Sequence, residues 1–276
     1  MAKGNLTRHF GAELVELLGA RFQSLTPAFN LARFREVIPE LDGETLMRRV
    51  RHIAEALDRC LPDDPADVWE LMRRMLPSEL TENQQIFNEG YWMLPLAAWW
   101  ELFGCPVPHD RHARESSVVA GRVEMSDSSA GDTAADLELA LHALAELTRR
   151  GTSEFAIRRY VNLYPKLLLR QVTVWACHPS FHVRRLASEG TRPYLPWGGK
   201  LRVGHEEQEA FLRAVTPLAR DVSPYVRRSV GNHVRDWRRI DPAVADRWLD
   251  AVKPPEDVRR LAQARGSSAE RPRGRD

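Results

Sequence analysis

Two stretches of this chain set a pair of arginines behind a valine, just inside a turn signal: Val183-Arg184-Arg185 in HPSFHVRRLASEG and Val226-Arg227-Arg228 in DVSPYVRRSVGNH. A guanidinium is a flat, permanently charged fork that meets a phosphate or carboxylate through paired hydrogen bonds. The free N–H groups of a helix's first turn attract the same anions. Arginines in equivalent first turns are therefore expected to meet successive phosphates, at least one from each pair, because adjacent helical residues point about 100° apart. Arg158, Arg192 and Asn232 extend the set. Few acids lie among them: Glu154 in SEFAIRR, Glu189 in LASEGTRP and Asp236 in NHVRDW. For Glu189 and Asp236 the ordinary role is an ion pair to Arg185, Arg192 or Arg235 that holds the arginines in place. Trp175, Trp197 and Trp237 stand near these motifs, where an indole face can stack on a ligand or attract a cation. Core packing is the commoner use of any one tryptophan at an inter-repeat turn, and Trp197 and Trp237 are the two assigned here to stacking.

The charge distribution supports an anionic partner. The 276 residues carry 40 Lys+Arg against 38 Asp+Glu, a net charge of +2. Residues 1–150 hold 16 basic against 24 acidic side chains, whereas residues 151–250 hold 17 against 10 and the remainder 7 against 4. In the basic window the only lysines are Lys166 and Lys200. A merely solubilising surface would use more lysine, so this arginine bias points to bidentate contact rather than to solvation. A solvated helical face remains the alternative.

Several function classes are absent. Cys60, Cys105 and Cys177 are scattered, without a CxxC, so neither a disulfide framework nor a zinc site is indicated. His109 and His112 have i, i+3 spacing but lie in a loop-like segment without further ligands. No glycine-rich phosphate loop, nucleophile elbow or dinucleotide fingerprint appears, and no cofactor is expected. No apolar run approaches the roughly 18 residues of a membrane helix, and Met1 to His9 lack the apolar core of a secretion signal, so a cytoplasmic location is expected.

The elements that must carry these arginines are helices. In LMRRVRHIAEALDRCL, Leu46, Val50, Ile53, Ala54, Leu57 and Leu61 form an apolar stripe, and LELALHALAELTRR shows another. Prolines and glycines gather between such segments. The two Val-Arg-Arg copies lie 43 residues apart, within the roughly 40 to 47 of two-helix HEAT or armadillo repeats. VRHIAEAL at Val50 is a weak third copy. The expected fold is all-α, an α-α superhelix of HEAT-like repeats. It divides into N-terminal repeats over 1–104, a flexible inserted loop over 105–136, C-terminal repeats with a basic face over 137–265, and a disordered basic tail over 266–276.

The strings VRRLASEGTRPYLPW and YVRRSVGNHVRD, with RVRHIAEAL and SEFAIRRYV, resemble the AlkC branch of the HEAT-like alkylation-repair DNA glycosylases over roughly residues 31–252. The resemblance implies a monomeric enzyme of bacterial base excision repair. It would cradle duplex DNA on a concave basic face and release cationic bases such as 3-methyladenine, without fully flipping the nucleotide. It also implies that the chain lacks an immunoglobulin-like domain found in some relatives.

Losing a cationic base leaves an oxocarbenium-like sugar, which a carboxylate can stabilise while it orients water; no general acid is needed. Glu154 is the first choice for that carboxylate, with Glu189 and Asp236 behind it. Its motif resembles the family's active-site helix and it stands four residues before Arg158 on the same face; its alternative role is a first-turn helix charge after a Thr152/Ser153 cap. The chain departs from the family pattern at Ala98, where an acid is usual, at Arg159, where proline is usual, and in the loop from Cys105. These departures leave open a catalytically silent protein that binds damaged, distorted or branched DNA. A helical scaffold for an acidic protein is a further alternative.

Overall fold

The computed structural model describes residues 6–81, 90–106 and 130–264. These residues form thirteen α-helices joined by short turns and 3-10 segments, with no strand among them. The chain divides into two compact units, Met1–Ile157 and Arg158–Asp276.

The first unit contains α1 (Ala12–Leu25), α2 (Leu31–Arg35), α3 (Leu46–Asp58), α4 (Pro65–Arg74), α5 (Leu94–Leu102) and α6 (Ala130–Thr148). Helix α5 is apolar almost all round and packs against α3 and α6, burying every residue from Leu94 to Glu101. Its Ala98 is fully enclosed within this unit. Glu101 takes both arms of the Arg51 guanidinium, the shorter contact being 3.0 Å. Val50 is the fifth residue of α3, whereas Val183 and Val226 are the third of theirs, so the weak third copy stands at a different helical phase.

Two boundaries differ from the sequence reading. Helix α6 starts at Ala130, so 130–136 is helical rather than loop; the alanines there carry the helix back before its first leucine. The segments 107–129 and 266–276, with His109 and His112, lie outside the described residues. Helix α6 also belongs to the first unit, because its C-terminal end is tied to the 77–80 turn. The Leu80 amide donates to the Arg149 carbonyl at 3.0 Å, Arg149 pairs with Glu79 at 2.7 Å, and Arg150 Nε reaches the Pro77 carbonyl at 2.6 Å.

The second unit is a stack of helix pairs. Beyond α7 (Ile157–Leu163), helices α8 (Pro165–Ala176), α10 (His205–Val215) and α12 (Pro242–Val252) alternate with α9 (Phe181–Gly190), α11 (Pro224–Ile240) and α13 (Glu256–Gln263). Helices α9, α11 and α13 pack successively on one another, while α8 packs on both α9 and α10. On α11 the buried stripe is Val226, Val230, Val234 and Trp237. Gly231 lets α13 approach closely: a Cβ there would stand 2.7 Å from Leu261 Cβ. No helix among the described residues is long and apolar enough to cross a membrane.

Candidate nucleic-acid interface

Helices α9 and α11 begin in the same way. The Ser180 amide donates to His178 Nδ1 at 3.0 Å, and the Ser223 amide donates to Asp221 Oδ1 at 2.8 Å. Each helix entry is thus capped by a residue two positions upstream rather than by the Ser180 or Ser223 hydroxyl.

The first arginine of each pair then folds back on its own turn. Arg184 donates to the carbonyls of His178 and Pro179 at 2.9 and 2.8 Å and grips Asp221 with both arms at 2.6 and 2.9 Å. Arg227 donates to the carbonyls of Asp221 and Val222 at 2.8 and 3.2 Å and pairs with Asp257 at 2.8 Å. These two arginines fasten one repeat to the next, which corrects their assignment to phosphate.

The second arginine of each pair points elsewhere. Arg185 and Arg228 line a cleft of about 250 Å³ within the second unit. Helix α9 contributes Glu189 beside Arg185, and the following loop contributes Arg192, Pro196 and Trp197. Helix α11 contributes Tyr225, Ser229, Asn232 and Arg235 to the same cleft. Tyr225, Arg228, Asn232 and Arg235 recur at three- and four-residue spacing, one face of a helix whose opposite face is the core stripe. The Arg185 guanidinium lies 4.7 Å from the centre of the Tyr225 ring.

Below this rim lies a buried ion cluster. Arg192 donates to Glu189 Oε1 at 2.5 Å and to Asp236 Oδ2 at 2.8 Å, and the Ser229 hydroxyl donates to Glu189 Oε2 at 2.7 Å. Burial alone would raise the Glu189 carboxyl, but Arg185, Arg192 and the Ser229 hydrogen bond outweigh it and hold the group below the ordinary range. At Asp236 burial prevails over the pull of Arg192 and raises the carboxyl. One oxygen of Asp236 has no hydrogen-bond partner, which fits that direction. The cluster keeps an anion beside the arginines of the cleft.

No family model matches the chain. "Uncharacterized protein YhaZ" of Bacillus subtilis (strain 168) is 28% identical over 253 residues, which cover 88% of this chain and 59% of that protein. The structure of Pseudomonas fluorescens alkylpurine DNA glycosylase AlkC, bound to DNA containing an abasic site analog, matches with a TM-score of 0.72 at 24% identity. That match covers 95% of this chain and 64% of the AlkC chain. This chain has the AlkC fold. It spans under two thirds of the length of either protein.

Within the AlkC fold the remaining residues named from sequence separate clearly. Trp197 is 37% exposed and lines the cleft, whereas Trp237 is fully buried with its ring 5.0 Å from that of His205. Trp237 therefore packs the core and cannot stack on a ligand, and Trp175 is buried as well. Arg158 is 1% exposed and donates to backbone carbonyls, which removes it from the phosphate contacts. Asp236 is fully buried and supports Arg192 instead of meeting the cleft itself. Glu154 belongs to the first unit, where it is 1% exposed in the turn before α7, outside the first helical turn expected for it. The Ser153 hydroxyl donates to the Leu144 carbonyl at 2.7 Å rather than capping α7. Sequence reading missed Tyr225 and took Arg235 only as an ion-pair partner, although their spacing from Arg228 and Asn232 was the signal.

Proposed function

We propose that this chain binds duplex DNA through the cleft of its second unit. There it would act as a glycosylase of base excision repair, hydrolysing the N-glycosidic bond of cationic N-alkylated bases of the 3-methyladenine type without full base flipping. The observation that carries this reading is Glu189, a carboxylate kept anionic in a cleft whose other charged lining residues are four arginines and whose edge is an exposed tryptophan. The AlkC neighbour, solved on DNA, supports it through the shared fold.

Arg185, Arg228, Arg235 and Asn232 would take the phosphates, and Trp197 would stack on the lesion or its sugar. A cationic base departs without protonation, so the chemistry needs only a negative charge near the sugar and a water it can orient. Glu189 is the one acid of the three that lines the cleft, and it would supply that charge. Asp236 would act through Arg192. The protein would work in the bacterial cytoplasm as a monomer without metal or small-molecule cofactor.

Release of free 3-methyladenine from methylated duplex DNA tests the reading. Glu189→Gln is expected to lower the rate by about 10²-fold or more while sparing DNA affinity. A wild-type rate no faster than spontaneous loss overturns catalysis. One observation favours a silent DNA-binding protein instead: Glu154, Glu189 and Asp236 are all at most 3% exposed. In that case affinity persists and falls steeply with salt, while no base is released.

A further inference from the structure

Arg158 and Asn162 lie one turn apart on α7, and both spend their polar atoms on the backbone of the segment after α9. The Arg158 guanidinium donates to the carbonyls of Gly190 and Arg192 at 3.1 and 2.8 Å, to that of Pro193 at 3.4 Å, and to that of Gly199. The Asn162 amide donates to the Lys200 carbonyl at 3.0 Å, and its oxygen accepts from the Arg202 amide at 2.7 Å. The contact is close enough to need glycine: a Cβ on Gly198 would stand 2.6 Å from Leu195 Cδ2 and 2.9 Å from Arg158 Cδ. Between these anchored points the segment turns outward and presents Pro196 and Trp197 to the cleft.

A loop with two adjacent glycines, Gly198 and Gly199, has many conformations to lose there on ordering, although Pro193 and Pro196 restrict it locally. Four hydrogen bonds with two side chains of one helix, to Pro193, Gly199, Lys200 and Arg202, restrict that freedom, while the bonds to Gly190 and Arg192 tie the same arginine to the end of α9 and the residues just after it. Burying a guanidinium among carbonyls is costly: burial, with Arg192 nearby, lowers the Arg158 pKa to about 10. Such an expense is out of proportion for a surface turn and suits a wall that must stand in one place.

We infer that Arg158 and Asn162 are positioning residues that lock the 193–202 segment and thereby fix Trp197 as the rigid wall of the cleft. The inference rests on the proposed DNA reading only for what that wall touches; the locking itself is a property of the protein alone. A fixed indole meets a base or sugar without the ordering cost that a mobile one incurs.

Fluorine NMR of full-length protein labelled with 5-fluorotryptophan separates the two layers. The Trp197 signal is assigned by its loss in Trp197→Phe. Asn162→Ala is expected to shift and broaden that signal while leaving those of the buried Trp237 and Trp248 in place, and Arg158→Lys to do so more strongly. Should Arg158→Lys fail to fold, Asn162→Ala decides alone, and an unchanged Trp197 signal in it overturns the inference. For duplex DNA carrying an abasic site, Trp197→Ala and Asn162→Ala should each weaken binding about 10-fold. The double variant should be no weaker than Trp197→Ala; a 100-fold loss would mean that the two act independently, against the inference. If wild-type protein shows no DNA affinity, the proposed function falls while the fluorine spectra still decide the lock.

Discussion

Arg184 holds Asp221 with both arms of its guanidinium at 2.6 and 2.9 Å, across 37 residues of chain. Its immediate neighbour Arg185 instead faces the cleft. Two adjacent arginines of the same motif therefore serve stability and surface charge separately, and substitution can tell them apart. Asp221→Ala also removes the acceptor of the Ser223 amide. It is expected to cost roughly 2–4 kcal/mol of unfolding free energy, while the salt dependence of DNA affinity stays as in the wild type. Arg228→Ala should leave stability within about 0.5 kcal/mol and reduce the slope of log affinity against log salt by about one. Denaturant titration and salt-dependent anisotropy read the two effects, and the reverse pattern would refute this division.

The two tryptophans flanking α10 differ in the same way. Trp237 is fully buried, so Trp237→Ala should cost roughly 3–5 kcal/mol, seen as a lower denaturation midpoint. Trp197→Ala should leave that midpoint nearly unchanged and weaken DNA binding. Equal loss of stability from both would contradict the assignment of Trp197 to the cleft wall.

His233 supplies a pH dependence. Its ring is fully buried and bonds the Ser188 carbonyl through Nδ1 at 3.2 Å. Burial, reinforced by Arg192, lowers its pKa from 6.5 to about 3. The unfolded chain gains this proton near pH 6.5 and the folded chain only near pH 3. The stability contributed by the neutral ring is therefore complete above pH 6.5 and falls as pH drops toward 3, at up to about 1.4 kcal/mol per unit. Unfolding free energies measured at pH 7.5, 6.0 and 5.0 should decline more steeply for wild type than for His233→Asn. Parallel curves would show that this imidazole is not the responsible group.

Gly231 offers a steric test. A methyl group there meets Leu261 Cβ at 2.7 Å on a helix, where there is little room to yield. Gly231→Ala is expected to destabilise by roughly 1–3 kcal/mol despite the better helix propensity of alanine. A more stable variant would mean that α11 and α13 are less closely packed.

The helical stack was legible in the sequence because three- and four-residue apolar spacing and a 43-residue period are local or self-similar signals. The division of labour within each arginine pair was not legible, since it depends on Asp221 and Asp257, 37 and 30 residues away from their partners. Trp237 could have been placed in the core, because it continues the Val226, Val230, Val234 stripe three residues on. Arg158 was read as a surface cation because nothing in its own helix announces the carbonyls of a loop some 40 residues later. Glu154 was given the first turn of a helix that starts only at Ile157.

Asp221 serves neighbours on both sides: its carboxylate takes Arg184 from the preceding repeat and its carbonyl takes Arg227 from its own. The layers are thus linked like a chain of handshakes, with Asp257 on α13 closing the far end. Each aspartate ties a helix start to the arginine one repeat before it, so the register between successive layers is fixed by side chains as well as by the packed faces of α9, α11 and α13.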